Sequence, residues 1–175
     1  FYHPMAEGIA IEGIRLVKEY LPRAVANGED ITARTQMLVA SSMGATSFQR
    51  GLGGMHAIAH SLGALYNKHH GLLNAILMPY VLIRNRDAIE QRVIRLSKYL
   101  ELEDASFAGF LAWVISLREQ LNIPHTLAEI GIDLTDVVLV GQMSAQDAAA
   151  AGNPITLTDA EYSLVFSNAV NGCLD

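Results

Sequence analysis

Cysteine occurs once in the 175 residues, as Cys173, so the chain has no internal disulfide framework and suits a reducing cytoplasm, the location we expect. Charge is also scarce: charged residues make up 17% and apolar residues 51%, against about 25% charged in an average domain. A chain so poor in charge should carry an apolar face that it does not cover itself. A net charge of −6 with no basic cluster excludes nucleic acid as a partner. Long apolar runs are missing too. The stretch 72–83 is broken by Asn74 and Pro79 and falls well short of the roughly 20 residues of a membrane span, so no membrane partner is expected. No segment alternates with period two over five or more residues between turns. The nearest case, 136–140, is better explained as helix. No internal repeat and no signal-like segment occur, and the chain begins at Phe1 without methionine, so it reads as a fragment. Its length suits one good-sized domain and is too short for two. The expectation is a single all-α domain over 1–175, with about seven or eight helices.

What the chain does have is histidine, concentrated in one place. Four of the six histidines (His56, His60, His69 and His70) fall within residues 51–74, beside Gly51, Gly53, Gly54, Gly63 and Gly71. His56 and His60 are four apart and share one helix face, with a rise of about 6 Å. His56 and His70 are fourteen apart, which on one continuous helix would separate them by about 21 Å. The chain between them contains Gly63 and Asn67-Lys68, where a helix can stop and the backbone reverse. With a reversal there, His70 opens the next helix and faces back toward His56. Spacing alone fits a pair of satisfied, partly buried imidazoles as well as a metal site. A catalytic divalent metal usually takes about three protein ligands and an open position, and this stretch offers two or three nitrogens and no carboxylate.

Helical patterns surround that stretch. Pro4 suits a first turn, apolar residues recur over 5–21, and Asn27-Gly28 closes the segment. Asp30 is the expected N-cap of a helix over 31–46. Residues 70–84 read as a buried helix, 87–100 and 106–121 as amphipathic ones, with Trp113 a core anchor and the acidic run 101–104 a solvated turn. His125 is expected at the surface. The last helices are expected at 136–151 and, capped by Thr158, at 159–170.

The central stretch resembles the second signature of the iron-containing (group III) alcohol dehydrogenases. The resemblance is carried by Gly53, His56, Ala57, Ala59, His60, Gly63, His70, Gly71, Asn74, Ala75 and Pro79. Outside it, Ala33-Arg34 through Ala40-Ser41, the Ile123-Pro124 connection and Gly152-Asn153-Pro154 also resemble that family. The match runs over nearly the whole chain and corresponds to the family's C-terminal helical domain, half of a dehydroquinate-synthase-like, iron-containing alcohol dehydrogenase fold. The resemblance implies that His56 and His70 are metal ligands. It implies that His60, between metal and nicotinamide, binds cofactor and relays the proton, and that Phe48 lines the nicotinamide and substrate pocket. His69 stands where the family often has proline and is read as a neighbour of the site.

The resemblance further implies an NAD- or NADP-dependent enzyme that interconverts a primary alcohol and its aldehyde. Ferrous iron, or zinc, would serve as Lewis acid. The implied partners are an N-terminal dinucleotide-binding domain, a small alcohol or aldehyde, and further copies of the chain in a homo-oligomer. No glycine-rich turn on a strand is present to hold a dinucleotide, and the remaining two ligands would fall before Phe1, so the chain alone is expected to be inactive. Two other readings stay open. One is a stand-alone helical module that docks a separate dinucleotide domain or self-associates. The other is a helical metal hydrolase, which would need a third ligand from His60 or His69.

Overall fold

The computed structural model describes residues 3–174, and among these it contains eight α-helices, three short 3₁₀ turns and no strand. None of the described helices is long and apolar enough to cross a membrane. Contacts divide the chain into two compact units, one of residues 1–51 and 91–121, the other of residues 52–90 and 122–175.

The first unit begins with α1 (Pro4–Ala26). His3 caps it, its Nδ1 accepting the Ala6 N–H at 3.2 Å. The helix runs on past Pro22, which removes one N–H from the ladder, and stops where Asn27 turns extended. Asp30 then caps α2 (Ile31–Ser47) by accepting the Ala33 N–H at 2.9 Å. Gly13 lets α1 and α2 approach closely, since a Cβ there would already touch the Met43 Cβ at 3.5 Å. A 3₁₀ turn, Phe48–Arg50, follows α2.

Most of α5 (Arg86–Tyr99) and all of α6 (Phe107–Gln120, capped by Ser106) complete this unit. Polar ties join α1 to α5 and the residue after it. The Tyr99 hydroxyl donates to Glu12 at 2.7 Å, the Lys18 ammonium donates to the Leu100 carbonyl at 2.8 Å, and Arg95 pairs with Glu7. Hydrogen bonds from Arg15 and then Tyr99 hold the Glu12 carboxyl down at about 2. Trp113 is half-buried, its ring 5.3 Å from that of Phe110. The uncovered apolar face expected from composition is present on α2, where Ile31 is 66% and Leu38 72% exposed.

The second unit holds α3 (Gly54–Tyr66), α4 (His70–Arg84), α7 (Val137–Gln146) and α8 (Asp159–Asn171). Its core is one cluster, with Ile58 and Leu62 from α3, Leu73, Ile76 and Leu77 from α4, and Tyr162 and Phe166 from α8 all fully buried. Each such aliphatic side chain contributes about 1.5–3 kcal/mol. Gly141 lets α7 and α8 meet, because a Cβ there would run into Ser163 and the Asp159 carbonyl. His125 is half-buried, not at the surface as expected: its carbonyl accepts the Tyr80 hydroxyl at 2.8 Å, which ties its loop to α4.

One element differs from the sequence reading. The helix expected over 136–151 stops at Gln146, Asp147 is extended (φ −68, ψ 139), and a 3₁₀ turn, Ala148–Gly152, follows. The reason is local. Aspartate competes for backbone donors more effectively than it sits inside a helix, and here its Oδ1 accepts the Ala149 N–H at 2.7 Å. Good helix formers at 148–151 do not outweigh that cap.

Candidate functional site

The geometry of the second unit brings three histidines together. α3 carries His56 and His60 one turn apart, then ends at Asn67 in the left-handed region (φ 50, ψ 41), whose N–H returns to the Gly63 carbonyl at 3.0 Å. Asparagine tolerates that conformation better than most residues, so the turn is cheap. Two residues later His69 caps α4, its Nδ1 accepting the Leu72 N–H at 3.3 Å, and His70 begins the helix. The reversal places the His70 ring 5.3 Å from that of His56 and 5.3 Å from that of His60, while His56 and His60 lie 6.0 Å apart. His60 and His70 are nearly parallel, at 16°.

Each imidazole has a different setting. His56 is half-buried, and burial first, then the neighbouring His70 and His60, hold its pKa below the ordinary value, with Asp147 opposing. The shift favours the neutral ring, the form that can donate a lone pair to a metal. His70 is oriented by Asn74, whose amide nitrogen lies 3.0 Å from Nε2 and donates to the His70 carbonyl at 3.1 Å. His60 has its Nδ1 at 3.1 and 3.2 Å from the two carboxylate oxygens of Asp147. His69 is occupied as a cap.

Behind the histidines a polar lock fixes the start of α3. Asn85 and Asn153 exchange side-chain hydrogen bonds in both directions at 2.9 Å, and Asn153 Oδ1 also accepts the Gly54 N–H at 3.0 Å. Gly54 has little room for a side chain, since a Cβ would sit 3.1 Å from that same Oδ1. Gly152 has none, because a Cβ would strike the Leu52 carbonyl. Tyr66, at the end of α3, donates to Asp136 at 2.8 Å, and the buried Ser61 and Ser144 hydroxyls meet at 3.2 Å. A cavity of about 240 Å³ lies beside this lock, lined in part by Asp147, Asn153, Thr156 and the fully buried Tyr162.

Phe48 stands apart in this inventory. It belongs to the first unit, where it opens the 3₁₀ turn, and is 54% exposed, so it is not a core residue of the described chain. Sequence reasoning missed Asp147 and the Asn85–Asn153 pair. Asp147 stands directly before an alanine run, an N-cap pattern that was open to recognition; nothing in the spacing announces a contact between positions 85 and 153.

The donors fit a metal only in part. The His56 and His70 rings are close and His70 is oriented by Asn74, yet among the described residues no group of three or more His, Cys, Asp or Glu converges as a metal cage. Asp147, the near carboxylate, is already engaged by His60 and Ala149. The set suits part of a coordination sphere.

Residues 2–170 match the Fe-containing alcohol dehydrogenase family, C-terminal. The chain is 33% identical over 174 residues to the NAD-dependent methanol dehydrogenase of Bacillus methanolicus, covering 95% of this chain and 46% of that protein. It is 35% identical over 180 residues to the 4-hydroxybutyrate dehydrogenase of Cupriavidus necator, covering 97% and 46%. Among solved structures it superposes on a 1,3-propanediol oxidoreductase with a TM-score of 0.91 at 30% identity, covering 95% of this chain and 46% of that one. The chain thus spans about half the length of the curated relatives it matches. By the family match over nearly its whole length and the shared all-helical fold, this chain belongs to the Fe-containing alcohol dehydrogenase family, to whose C-terminal region it corresponds.

Proposed function

We propose that residues 1–175 are the metal-binding and substrate half of an NAD(P)-dependent alcohol dehydrogenase, acting with an N-terminal dinucleotide-binding domain. The observation that carries this reading is the return of His70 to His56 and His60 across the Asn67 turn. Methanol, 4-hydroxybutyrate and 1,3-propanediol, after which similar proteins are named, all offer a primary hydroxyl, which supports a primary alcohol and its aldehyde as the substrate pair.

In this reading His56 and His70 hold ferrous iron or zinc, both of which suit imidazole. When bound, the metal supplies Lewis acidity toward the alcohol oxygen. His60 takes the hydroxyl proton and passes it toward solvent, consistent with its exposed position. Phe48 walls the nicotinamide and substrate pocket, and hydride transfer itself belongs to the nicotinamide. The low cysteine content fits a cytoplasmic enzyme. The two or three donors present make the chain inactive without the dinucleotide domain and its ligands.

A test joins this chain to a dinucleotide-binding half, loads ferrous iron or zinc, and follows reduced nicotinamide with a series of primary alcohols. Alcohol-dependent reduction that His56→Ala or His70→Ala lowers by about 100-fold or more supports the reading. Full activity in both variants would sink it. The exposed apolar face of α2 supports a second reading, in which the chain is an assembly module docking a separate dinucleotide domain or another copy of itself as a homo-oligomer. Mass measurement with and without Leu38→Lys separates the two, since only assembly should respond.

A further inference from the structure

Asp147 interrupts an otherwise favourable helix, and the interruption has a use. Where α7 stops, the backbone turns extended and the carboxylate is held from two sides: Oδ1 accepts the Ala149 N–H at 2.7 Å, and both oxygens lie 3.1–3.2 Å from His60 Nδ1. The side chains are 40% exposed for His60 and 23% for Asp147, so the pair is partly screened from water. An ionised carboxylate can only accept, so the proton of this contact sits on Nδ1. In the neutral ring that leaves Nε2 as the lone-pair nitrogen. One face of the ring is stacked at 16° on His70, which fixes its plane, while Asp147 meets its Nδ1 edge.

We propose that Asp147 is a positioning residue for His60, holding the ring in the Nδ1–H tautomer and keeping Nε2 as its proton acceptor. The proposal rests on the reading of His60 as proton relay for its catalytic meaning, while the tautomer itself stands on the contact alone. Without Asp147 the ring is free to rotate and to carry its proton on either nitrogen, and only one arrangement serves a relay.

Asp147→Asn is the informative substitution because the fold constrains how it can sit. The Ala149 N–H still needs an acceptor, so the new amide should keep its oxygen there and turn its NH₂ toward His60. The position 3.1 Å from Nδ1 then carries a donor in place of an acceptor, while the oxygen 3.2 Å away is shared with Ala149, so the lone pair is favoured on Nδ1 and the proton on Nε2. The cap and shape survive while the tautomer inverts, so a purely structural role for Asp147 predicts no change in the ring.

The experiment is nitrogen-15 NMR of histidine-labelled protein, reading the His60 Nδ1 and Nε2 shifts in the parent and in Asp147→Asn. Activity of the same proteins joined to a dinucleotide-binding half is followed in parallel. We expect an Nδ1–H ring in the parent, an Nε2–H ring in the variant, unchanged metal content, and kcat lower by about tenfold or more with KM little altered. An Nε2–H ring in the parent, or the same tautomer in both, would overturn the proposal whatever the activity. An inverted tautomer with unchanged kcat would equally overturn the positioning role. Absence of dehydrogenase activity in the parent would remove the reading on which the catalytic role rests, and the NMR comparison would then decide the tautomer claim by itself.

Discussion

Tyr66 shows how a single side chain ties the helix of the site to its neighbour. Its hydroxyl donates to Asp136 at the start of α7, and burial first, then that hydrogen bond, push its pKa from 10.0 up to about 12. A tyrosine that keeps its proton longer in the folded than in the unfolded chain contributes stability that is fully present below pH 10.0 and is lost as pH rises through about 12. We therefore expect Tyr66→Phe to cost about 1 kcal/mol at neutral pH. Above pH 10.0 the difference between the two proteins should shrink, as urea unfolding across the alkaline range would show. A difference that grew with pH would contradict the assignment. The histidines were legible from spacing because helix geometry is regular: four residues bring two rings onto one face, and a stop at Asn67 brings the third back. Asp147 was less legible because its partner lies 87 positions away, and no local period reports such a contact.

α8 displays a start signal that reads equally well in sequence and in space. Thr158 Oγ1 accepts the Glu161 N–H at 3.3 Å, and Glu161 Oε2 accepts the Thr158 N–H at 2.7 Å, completing a capping box. Arg84 pairs with the other oxygen of Glu161 and so links α4 to the same cap. Thr158→Ala should destabilise the protein by about 1 kcal/mol, seen as a lower thermal midpoint. An unchanged midpoint would mean that the helix is held by packing alone.

α7 is the instructive counterpart. Its alanine-rich sequel reads as continuous helix by propensity, and propensity loses to one well-placed carboxylate. Helix existence was legible for α1, α2, α4, α5, α6 and α8 from apolar patterning, supported at α1, α2 and α8 by Pro4, Asp30 and Thr158 at their starts. The break at Asp147 was signalled only by an N-cap pattern that the helix-forming neighbours masked, since a side chain that competes for backbone donors can end a helix where the surrounding residues favour it.

The chain carries a large hydrophobic core and a histidine cluster in its second unit, and it spans about half the length of its relatives. Its few charges and exposed α2 residues fit a chain with surface left to cover, and its donor set fits part of a metal sphere. Under the proposed function both follow from one idea, that further ligands and the dinucleotide site belong to another part of the enzyme. Composition made the uncovered apolar face legible in the sequence, but no period or motif here names what would cover it.

The central claim is tested most directly by titrating ferrous iron or zinc into this purified chain, beside a His56→Ala, His70→Ala double variant, with elemental analysis of both. A partial site predicts low stoichiometry as purified and weak binding that the double substitution abolishes. Tight one-to-one binding by this chain alone, or binding that survives loss of both histidines, would contradict it.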